Sequence, residues 1–230
     1  MKVIIAGATG YIGQELLAQC LAHPSITSIV ALSRRDVGIV NPKLRVCLMK
    51  DADYLSYADP AVAEELKGAG ACLWALGLRP SQALDEQHTR RVCVDYTAAA
   101  AAAFQRAHTT EGSPTGPSVV PFRFVYVSGA LAERDQSRSL WFAGGMRRLR
   151  GETENVLLRH AEANPGLFEA FIMQPGLVPS KEGTLRDRLW SLVPSVRKDY
   201  LAKAMIEIAL RGNAETTVSN LAINEMGRVG

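Results

Sequence analysis

Short apolar runs alternate along the chain with stretches in which apolar residues recur at helical spacing. Continuous apolar runs are typical of buried strands, and recurrence at every third or fourth position is typical of amphipathic helices. The predicted strands are residues 3–6, 26–32, 44–49, 71–76, 122–127 and 168–173, with a last short strand at 217–223. The predicted helices are residues 12–21, 60–67, 84–107, 151–163 (beginning near Gly145) and 201–209. This alternation predicts an α/β fold with three αβα layers, a doubly wound parallel sheet covered by helices on both faces.

Residues 1–230 are interpreted as one domain. The stretch 109–121 is dense in Gly, Pro, Ser and Thr, which predicts a flexible surface loop. It is not read as a domain linker, because the strand and helix alternation resumes directly after it. The pattern becomes irregular after Gly176, so residues 177–230 are expected to contribute to the substrate side of the sheet.

The composition argues mainly by exclusion. Of the 230 residues 47% are hydrophobic and 21% charged, which is ordinary for a globular protein and argues against disorder. The net charge of +3 is too mild to indicate nucleic-acid binding. No apolar run is long enough for a membrane helix, and the N-terminal residues do not read as a signal peptide. We therefore expect a cytoplasmic protein with neither nucleic acid nor membrane as partner.

Cysteine and histidine spacing gives no reason to expect a metal. The four cysteines are widely spaced without a C-x-x-C pair, and the four histidines form no set with metal-ligand spacing. Each cysteine lies among apolar residues. Buried thiols in a reducing compartment are therefore the expected state.

The strongest motif is the glycine-rich turn between the first strand and the first helix. It reads Gly7-Ala8-Thr9-Gly10-Tyr11-Ile12-Gly13. One glycine allows a tight turn, another lets the backbone approach a pyrophosphate, and the last lets the helix pack closely on the strand. The free N–H groups of the helix N-terminus then face the phosphates. The motif predicts dinucleotide binding on a Rossmann fold, with Thr9, Tyr11 and Ile12 in the binding turn.

The end of the second strand bears on which nicotinamide cofactor binds. An acidic residue there would hydrogen-bond the adenine ribose, but the sequence reads Ser33-Arg34-Arg35 before Asp36. Guanidinium groups pair with phosphate, so these residues predict NADP(H) over NAD(H). Two solvent-exposed arginines are the alternative. Asp51, just after the third strand, either accepts a hydrogen bond from the adenine amino group or is an exposed loop residue.

With these motifs the sequence resembles the short-chain dehydrogenase/reductase superfamily, in its extended and atypical branches. The resemblance extends to about residue 210. Its further motifs are Ala75-Leu76-Gly77 after the fourth strand, Val125-Tyr126-Val127-Ser128, the helix start Arg150-Gly151-Glu152-Thr153-Glu154 (similar to the Tat-interacting-protein-like branch) and Gln174-Pro175-Gly176-Leu177-Val178. In the last of these, Gln replaces the Arg of the family's Arg-Pro-Gly turn.

The resemblance implies a set of site residues. Ala75, Leu76 and Gly77 would lie beside the nicotinamide ribose, and a second cofactor contact would come from Pro175, Gly176 and Val178. Ser128 stands at the position of the catalytic serine, where it could hydrogen-bond a substrate carbonyl. A turn or helix cap is the alternative role for its hydroxyl.

The sequence departs from the family at the Tyr-x-x-x-Lys pair. Aligning Arg150 with the lysine places Met146 at the tyrosine position, and a thioether cannot donate a proton. Arg150 could still hold ribose hydroxyls, although a guanidinium does not titrate as a lysine does. Tyr126 lies two residues before Ser128 and shares its face of the strand. It is either a replacement proton donor or a core tyrosine.

Segments that flank the predicted nicotinamide end carry large apolar side chains. These are Trp141, Phe142, Met146, Leu177, Leu189 and Trp190. Together they would make an apolar pocket suited to an aromatic or polyketide-like ligand, and ordinary core packing is the alternative. The long Ala-rich helix would also allow close packing of a homodimer.

Three functions fit these observations. The first is an NADPH-dependent reductase of a small apolar or aromatic carbonyl or quinone-type substrate. The second is a non-catalytic NADP(H)-binding regulatory or scaffold protein. The third is a non-redox isomerase, cyclase or lyase that uses the same pocket.

Overall fold

The computed structural model describes residues 1–78, 85–110, 120–179 and 194–228. Its strands are β1 (Lys2–Ala6), β2 (Ser28–Ser33), β3 (Leu44–Leu48), β4 (Ala69–Trp74), β5 (Phe122–Val127), β6 (Phe168–Gln174) and β7 (Thr217–Ser219). The α-helices are α1 (Tyr11–Ala22), α2 (Asp53–Ser56), α3 (Pro60–Leu66), α4 (Glu86–Arg90), α5 (Tyr96–Thr110), α6 (Gly144–Ala163), α7 (Lys198–Arg211) and α8 (Asn220–Arg228). A π-helical turn, Arg91–Asp95, joins α4 to α5.

All seven strands form one parallel sheet in the order β3-β2-β1-β4-β5-β6-β7. The order reverses direction between β1 and β4, which makes this the switch point of a doubly wound sheet. Ligands of such sheets bind outside the carboxyl ends of the strands at the switch point. The predicted fold class is therefore confirmed, and the topology fixes where a site belongs.

A hydrophobic core covers each face of the sheet. Alternate strand residues enter opposite cores, so Ile5 packs with α1 and α7 whereas Ile4 packs with α5. The second core is rich in aromatic rings and includes the fully buried Trp74 and Phe104, whose ring centroids lie 6.3 Å apart. Because apolar cores cover both faces of the sheet, the central strands do not alternate between apolar and polar residues.

The predicted elements are present, with two main differences. The predicted helix 84–107 is interrupted by the π-helical turn. The predicted last strand 217–223 is wrong in its second half, because the chain turns into α8 after Ser219. Helix α7, inside the predicted substrate-side part, fills the core with buried residues such as Leu201 and Met205. Of the predicted loop 109–121, residues 111–119 lie outside the described part of the chain.

Several local features of the described residues bear on the chemistry of the fold. Asp59 caps α3 by accepting a hydrogen bond from the Ala61 amide at 2.8 Å. The four cysteines are free thiols, and three of them are buried. Among the described residues no group of side chains could hold a metal ion. None of the described helices combines the length and the apolar character needed to cross a membrane.

Candidate active site

The glycine-rich turn lies at the switch point, where β1 passes into α1. Gly7 has a positive φ of 83°, and a Cβ there would lie 2.6 Å from the Ala75 carbonyl oxygen. A Cβ at Gly13 would lie 1.9 Å from the Gly7 carbonyl oxygen. The Gly10 amide donates to that same carbonyl at 2.8 Å, which closes the turn. Two of the three glycines are therefore required by close backbone approach, as the motif predicts.

The turn offers an unobstructed helix N-terminus. Gly10 is the N-cap residue of α1 in extended backbone conformation, without a side-chain cap and with no acidic residue in the first turn. Unpaired N–H groups at a helix start, with the positive end of the helix dipole, favour a phosphate. Thr9 and Ile12 are half-buried in this turn, and Tyr11 is exposed. These residues form a cradle into which a dinucleotide pyrophosphate fits.

The residues predicted to select the cofactor lie together at the ends of β2 and β3. Ser33 is buried and its hydroxyl accepts a hydrogen bond from the Arg35 amide at 3.3 Å. Both arginine side chains project into solvent, and the Arg34 guanidinium lies 3.9 Å from the Asp51 carboxylate. An exposed pair at this distance holds weakly. The guanidinium groups therefore remain available to an anionic ligand.

The end of β4 approaches the glycine turn. The Ala75 amide donates to the Ala6 carbonyl at 3.0 Å, which extends the pairing with β1 by one residue. Ala75 and Leu76 are half-buried and Gly77 is exposed. The predicted Ala75-Leu76-Gly77 segment thus lies next to the turn, where the resemblance requires it.

Cys93, on the π-helical turn, lies near the end of β4, where its thiol is hydrogen-bonded by the Leu78 backbone. The sequence did not predict it as a site residue. Burial raises the pKa of its thiol, while the Leu78 backbone amide and the nearby Arg150 charge oppose the rise. No residue pattern marks a π-helical turn, so the sequence alone could not place Cys93 near the site. Such turns are frequent at functional sites.

A buried polar network holds the end of β5. The Ser128 hydroxyl donates to the Glu154 carboxylate, and Glu154 has no exposed surface. The Arg134 guanidinium pairs with Glu154 at 2.6 Å, and the Gln174 amide donates to both carboxylate oxygens at 3.0 Å. Arg134 also donates to the Thr217 hydroxyl at 2.9 Å. The network ties the ends of β5 and β6 and the start of β7 to α6.

Arg150 lies one helical turn before Glu154, at the same strand end. Its guanidinium covers Gly129, where a Cβ would lie 2.7 Å from the nearest guanidinium nitrogen. Within the described part of the chain, no hydrogen bond or ion pair joins Arg150 to another side chain or to the backbone. Met146, at the family's tyrosine position, is half-buried one turn earlier. Among the described residues this cation therefore has no ion-pair partner, and it lies beside Gly129 at the strand end where the resemblance places the nicotinamide.

Tyr126 is placed below the strand end. It is buried against α6, and burial raises the pKa of its hydroxyl well above the usual range, with the Cys93 side chain adding to the rise. The Thr153 hydroxyl, which hydrogen-bonds the Tyr126 hydroxyl, opposes this shift. Because Tyr126 is buried within the aromatic-rich core, it has the second of the two roles that the sequence left open, that of a core tyrosine.

The turn after β6 is held by the C-terminal part of the chain. A Cβ at Gly176 would lie 1.9 Å from the Pro194 carbonyl oxygen, and the Gly176 amide donates to the Asn220 side chain at 2.9 Å. Pro175 is buried and Val178 half-buried. Asn220 was missed by sequence reasoning, because it lies in the stretch assigned to a strand.

The residues predicted to line a substrate pocket are only partly brought together. Trp141 is 97% exposed, and its ring centroid lies 5.9 Å from that of Phe142, which is also exposed. Leu177 is exposed on the turn after β6. Trp190 and Leu189 lie outside the described residues. The apolar substrate pocket stays a prediction.

Comparison with known proteins adds to this geometry. No family model matches the chain. A curated relative, the leucinostatins biosynthesis cluster protein T of Purpureocillium lilacinum, is 31% identical over 128 residues. The match covers 56% of this chain and 42% of the relative, so the chain spans less than half of the length of that protein.

Solved structures match over nearly the whole chain. Yeast methylglyoxal/isovaleraldehyde reductase Gre2, solved with NADPH, has a TM-score of 0.69 at 15% identity, covering 95% of this chain and 77% of its own. A short-chain dehydrogenase from Burkholderia cenocepacia, solved with NADP, has a TM-score of 0.66 at 16% identity, covering 95% and 86%. MoeE5, solved with UDP-glucose and NAD, has the same TM-score and identity, covering 95% and 75%.

Together with the site geometry, these matches define the fold class of the chain. The sheet order and the glycine turn are those of a Rossmann fold. Within that class it has the fold of the short-chain dehydrogenases/reductases, which confirms the resemblance at the level of fold. Ligands of the matched structures are properties of those proteins.

Proposed function

We propose that the chain is an NADP(H)-dependent oxidoreductase of a small apolar or aromatic substrate, with carbonyl reduction as the direction of first choice. The observation that carries the proposal is the glycine turn. Its backbone lies at the switch point with a free helix N-terminus, and the exposed Arg34 and Arg35 follow at the adjacent strand end. The match to a biosynthesis cluster protein supports a small-molecule substrate.

The described residues would divide the work as follows. The turn from Gly7 to Gly13 would bind the pyrophosphate, and Arg34 and Arg35 would bind a ribose phosphate. Arg150 would hold hydroxyl groups at the nicotinamide end. Bound NADPH supplies the hydride, which is chemistry that no side chain provides.

A turnover assay, combined with a calorimetric titration of NADPH binding, tests this function. The purified protein is mixed with NADPH and a panel of aromatic ketones, aldehydes and quinones, and the loss of NADPH absorbance is followed. We expect turnover of at least one apolar acceptor, and a large loss of turnover in Arg150→Ala. Binding of NADPH without turnover of any acceptor would remove the oxidoreductase and leave a binding protein.

A non-catalytic NADP(H)-binding regulatory protein is the second candidate. The observation that favours it is the burial of Tyr126, which leaves Met146 at the tyrosine position without an evident substitute in the described residues. Pull-downs with and without NADPH test it. Partner lists that are identical in the two conditions would refute it.

A further inference from the structure

Ser128 is a hydrogen-bond acceptor toward the site, because its only proton is already committed. A carboxylate paired with a guanidinium is in its charged form and can only accept hydrogen bonds. Glu154 is so paired with Arg134, and the Ser128 hydroxyl must therefore be the donor between the two side chains. A hydroxyl has one proton and two lone pairs. What Ser128 has left for a ligand is a lone pair.

The orientation of this hydroxyl is fixed by the network. Glu154 is fully buried and receives hydrogen bonds from Gln174 on both oxygens, in addition to the Arg134 pair. Neither of its oxygens can turn away without losing a partner. Among the described residues, no group donates a hydrogen bond to the Ser128 hydroxyl oxygen, which is free to accept one from outside.

Next to this acceptor stands a donor. The Arg150 guanidinium lies over Gly129, the residue that follows Ser128, and it is a donor only. A carbonyl oxygen would suit Arg150 but would meet a lone pair at Ser128. A hydroxyl can donate to Ser128 and accept from Arg150, so it satisfies both groups.

We infer that the ligand group recognised at Ser128 is a hydroxyl and that the site binds the alcohol form of its substrate more tightly than the carbonyl form. The inference rests on the proposed function and narrows it. The family resemblance assigns Ser128 as a donor to a carbonyl, and the Glu154 network reverses that role.

The test compares naphthyl methyl carbinol with naphthyl methyl ketone, which share one aromatic skeleton and differ at the oxygen. Binding to the protein without cofactor is measured by competition in saturation-transfer NMR. We expect the wild-type protein to bind the alcohol about three- to tenfold more tightly, the value of one hydrogen bond. Ser128→Ala should bind the two probes equally, whereas the exposed control Ser56→Ala should keep the preference.

Glu154→Gln gives the sharpest outcome. Its amide oxygen is required by Arg134 and keeps one hydrogen bond from Gln174, so its amide N–H₂ takes the place of the oxygen that faces Ser128 and donates to the serine. The serine proton then points into the site, and the preference should change in favour of the ketone. Circular dichroism shows whether this variant folds, and Ser128→Ala decides if it does not.

Equal binding by the wild-type protein, a preference for the ketone, failure of both probes to bind, or a preference that survives in Ser128→Ala would each overturn the inference. The test of the Ser128 preference and the test of the proposed function can fail independently of each other. NADPH binding without the alcohol preference refutes only the role of Ser128. Absence of NADPH binding refutes the proposed function, whereas the preference is measured without cofactor.

Discussion

Replacing Arg134 by alanine removes the only cation that the described residues pair with Glu154. The Glu154 side chain is fully buried, while the Arg134 side chain is 37% exposed. In the variant the carboxylate keeps the Ser128 and Gln174 hydrogen bonds but loses its charge partner. A buried charge left without a partner is costly, so the folded state should lose stability.

The expected loss follows from the burial. Removing one partner of a buried ion pair costs about 3–5 kcal/mol. The partial exposure of Arg134 and the remaining hydrogen bonds place this variant at about 3 kcal/mol. For a domain of this size the melting temperature falls by about 2–4 °C per kcal/mol. We therefore expect Arg134→Ala to melt about 6–12 °C below the wild-type protein.

Thermal unfolding followed by circular dichroism measures this difference. The control is Arg211→Ala, which breaks the pair between the exposed Arg211 and the half-buried Glu207 at 3.2 Å. That change should cost less than about 0.5 kcal/mol. If Arg134→Ala melts no lower than Arg211→Ala, the buried network does not hold the strand ends as described.

Moving the positive charge from position 134 to position 174 tests the same network. Gln174 occupies the position at which the resembled family has arginine. In the double variant Arg134→Gln/Gln174→Arg, the guanidinium would approach Glu154 from β6. We expect the double variant to recover most of the stability that Arg134→Ala loses. A double variant less stable than Arg134→Ala would show that the two positions are not interchangeable.

Three further predictions concern packing, pH and thiol chemistry. Gly13→Ala should destabilise the protein by more than about 3 kcal/mol in thermal unfolding, because its Cβ would lie 1.9 Å from a backbone oxygen. The control Gly145→Ala, where a Cβ would lie in open space, should be neutral. Equal effects of the two substitutions would contradict the close approach at Gly13. Burial lowers the pKa of His160 below its usual 6.5, so its stabilising contribution is present above about pH 6.5 and is lost as the pH falls. The melting temperature of His160→Gln should therefore fall less on acidification than that of the wild-type protein. An equal fall in both proteins would refute this role of His160. Half-buried Cys47 should react with a thiol reagent before Cys20, because Cys20 is buried and burial raises the pKa of its thiol to about 12. Mass spectrometry of the labelled peptides measures this order. Labelling of Cys20 before Cys47 would contradict it.

The sequence predicted the fold because the signals for it are local. The strand Phe122–Val127 has the predicted bounds, since an apolar run between turn residues needs no distant information. The glycine turn was predictable for the same reason. Thr217–Ser219 was also predicted, but residues 220–223 at the start of the helix Asn220–Arg228 were read as its continuation, because the strand precedes the helix without a break.

The site network could not be predicted, because it depends on distant pairs. Glu154 meets Arg134 and Gln174 from positions 20 residues away in either direction. No pattern in the sequence connects them. The sequence assigned Ser128 its place at the strand end correctly, yet the polarity of its hydroxyl depends on Glu154, a partner 26 residues distant.

Calorimetric titration with NADPH, and with NADH as comparison, tests the central claim most directly. The protein should bind NADPH more tightly than NADH by about tenfold or more, the value of a charge-assisted hydrogen bond to the ribose phosphate. The double variant Arg34→Ala/Arg35→Ala should lose that preference while still binding NADH. Equal binding of both cofactors by the wild-type protein, or binding of neither, would contradict the account.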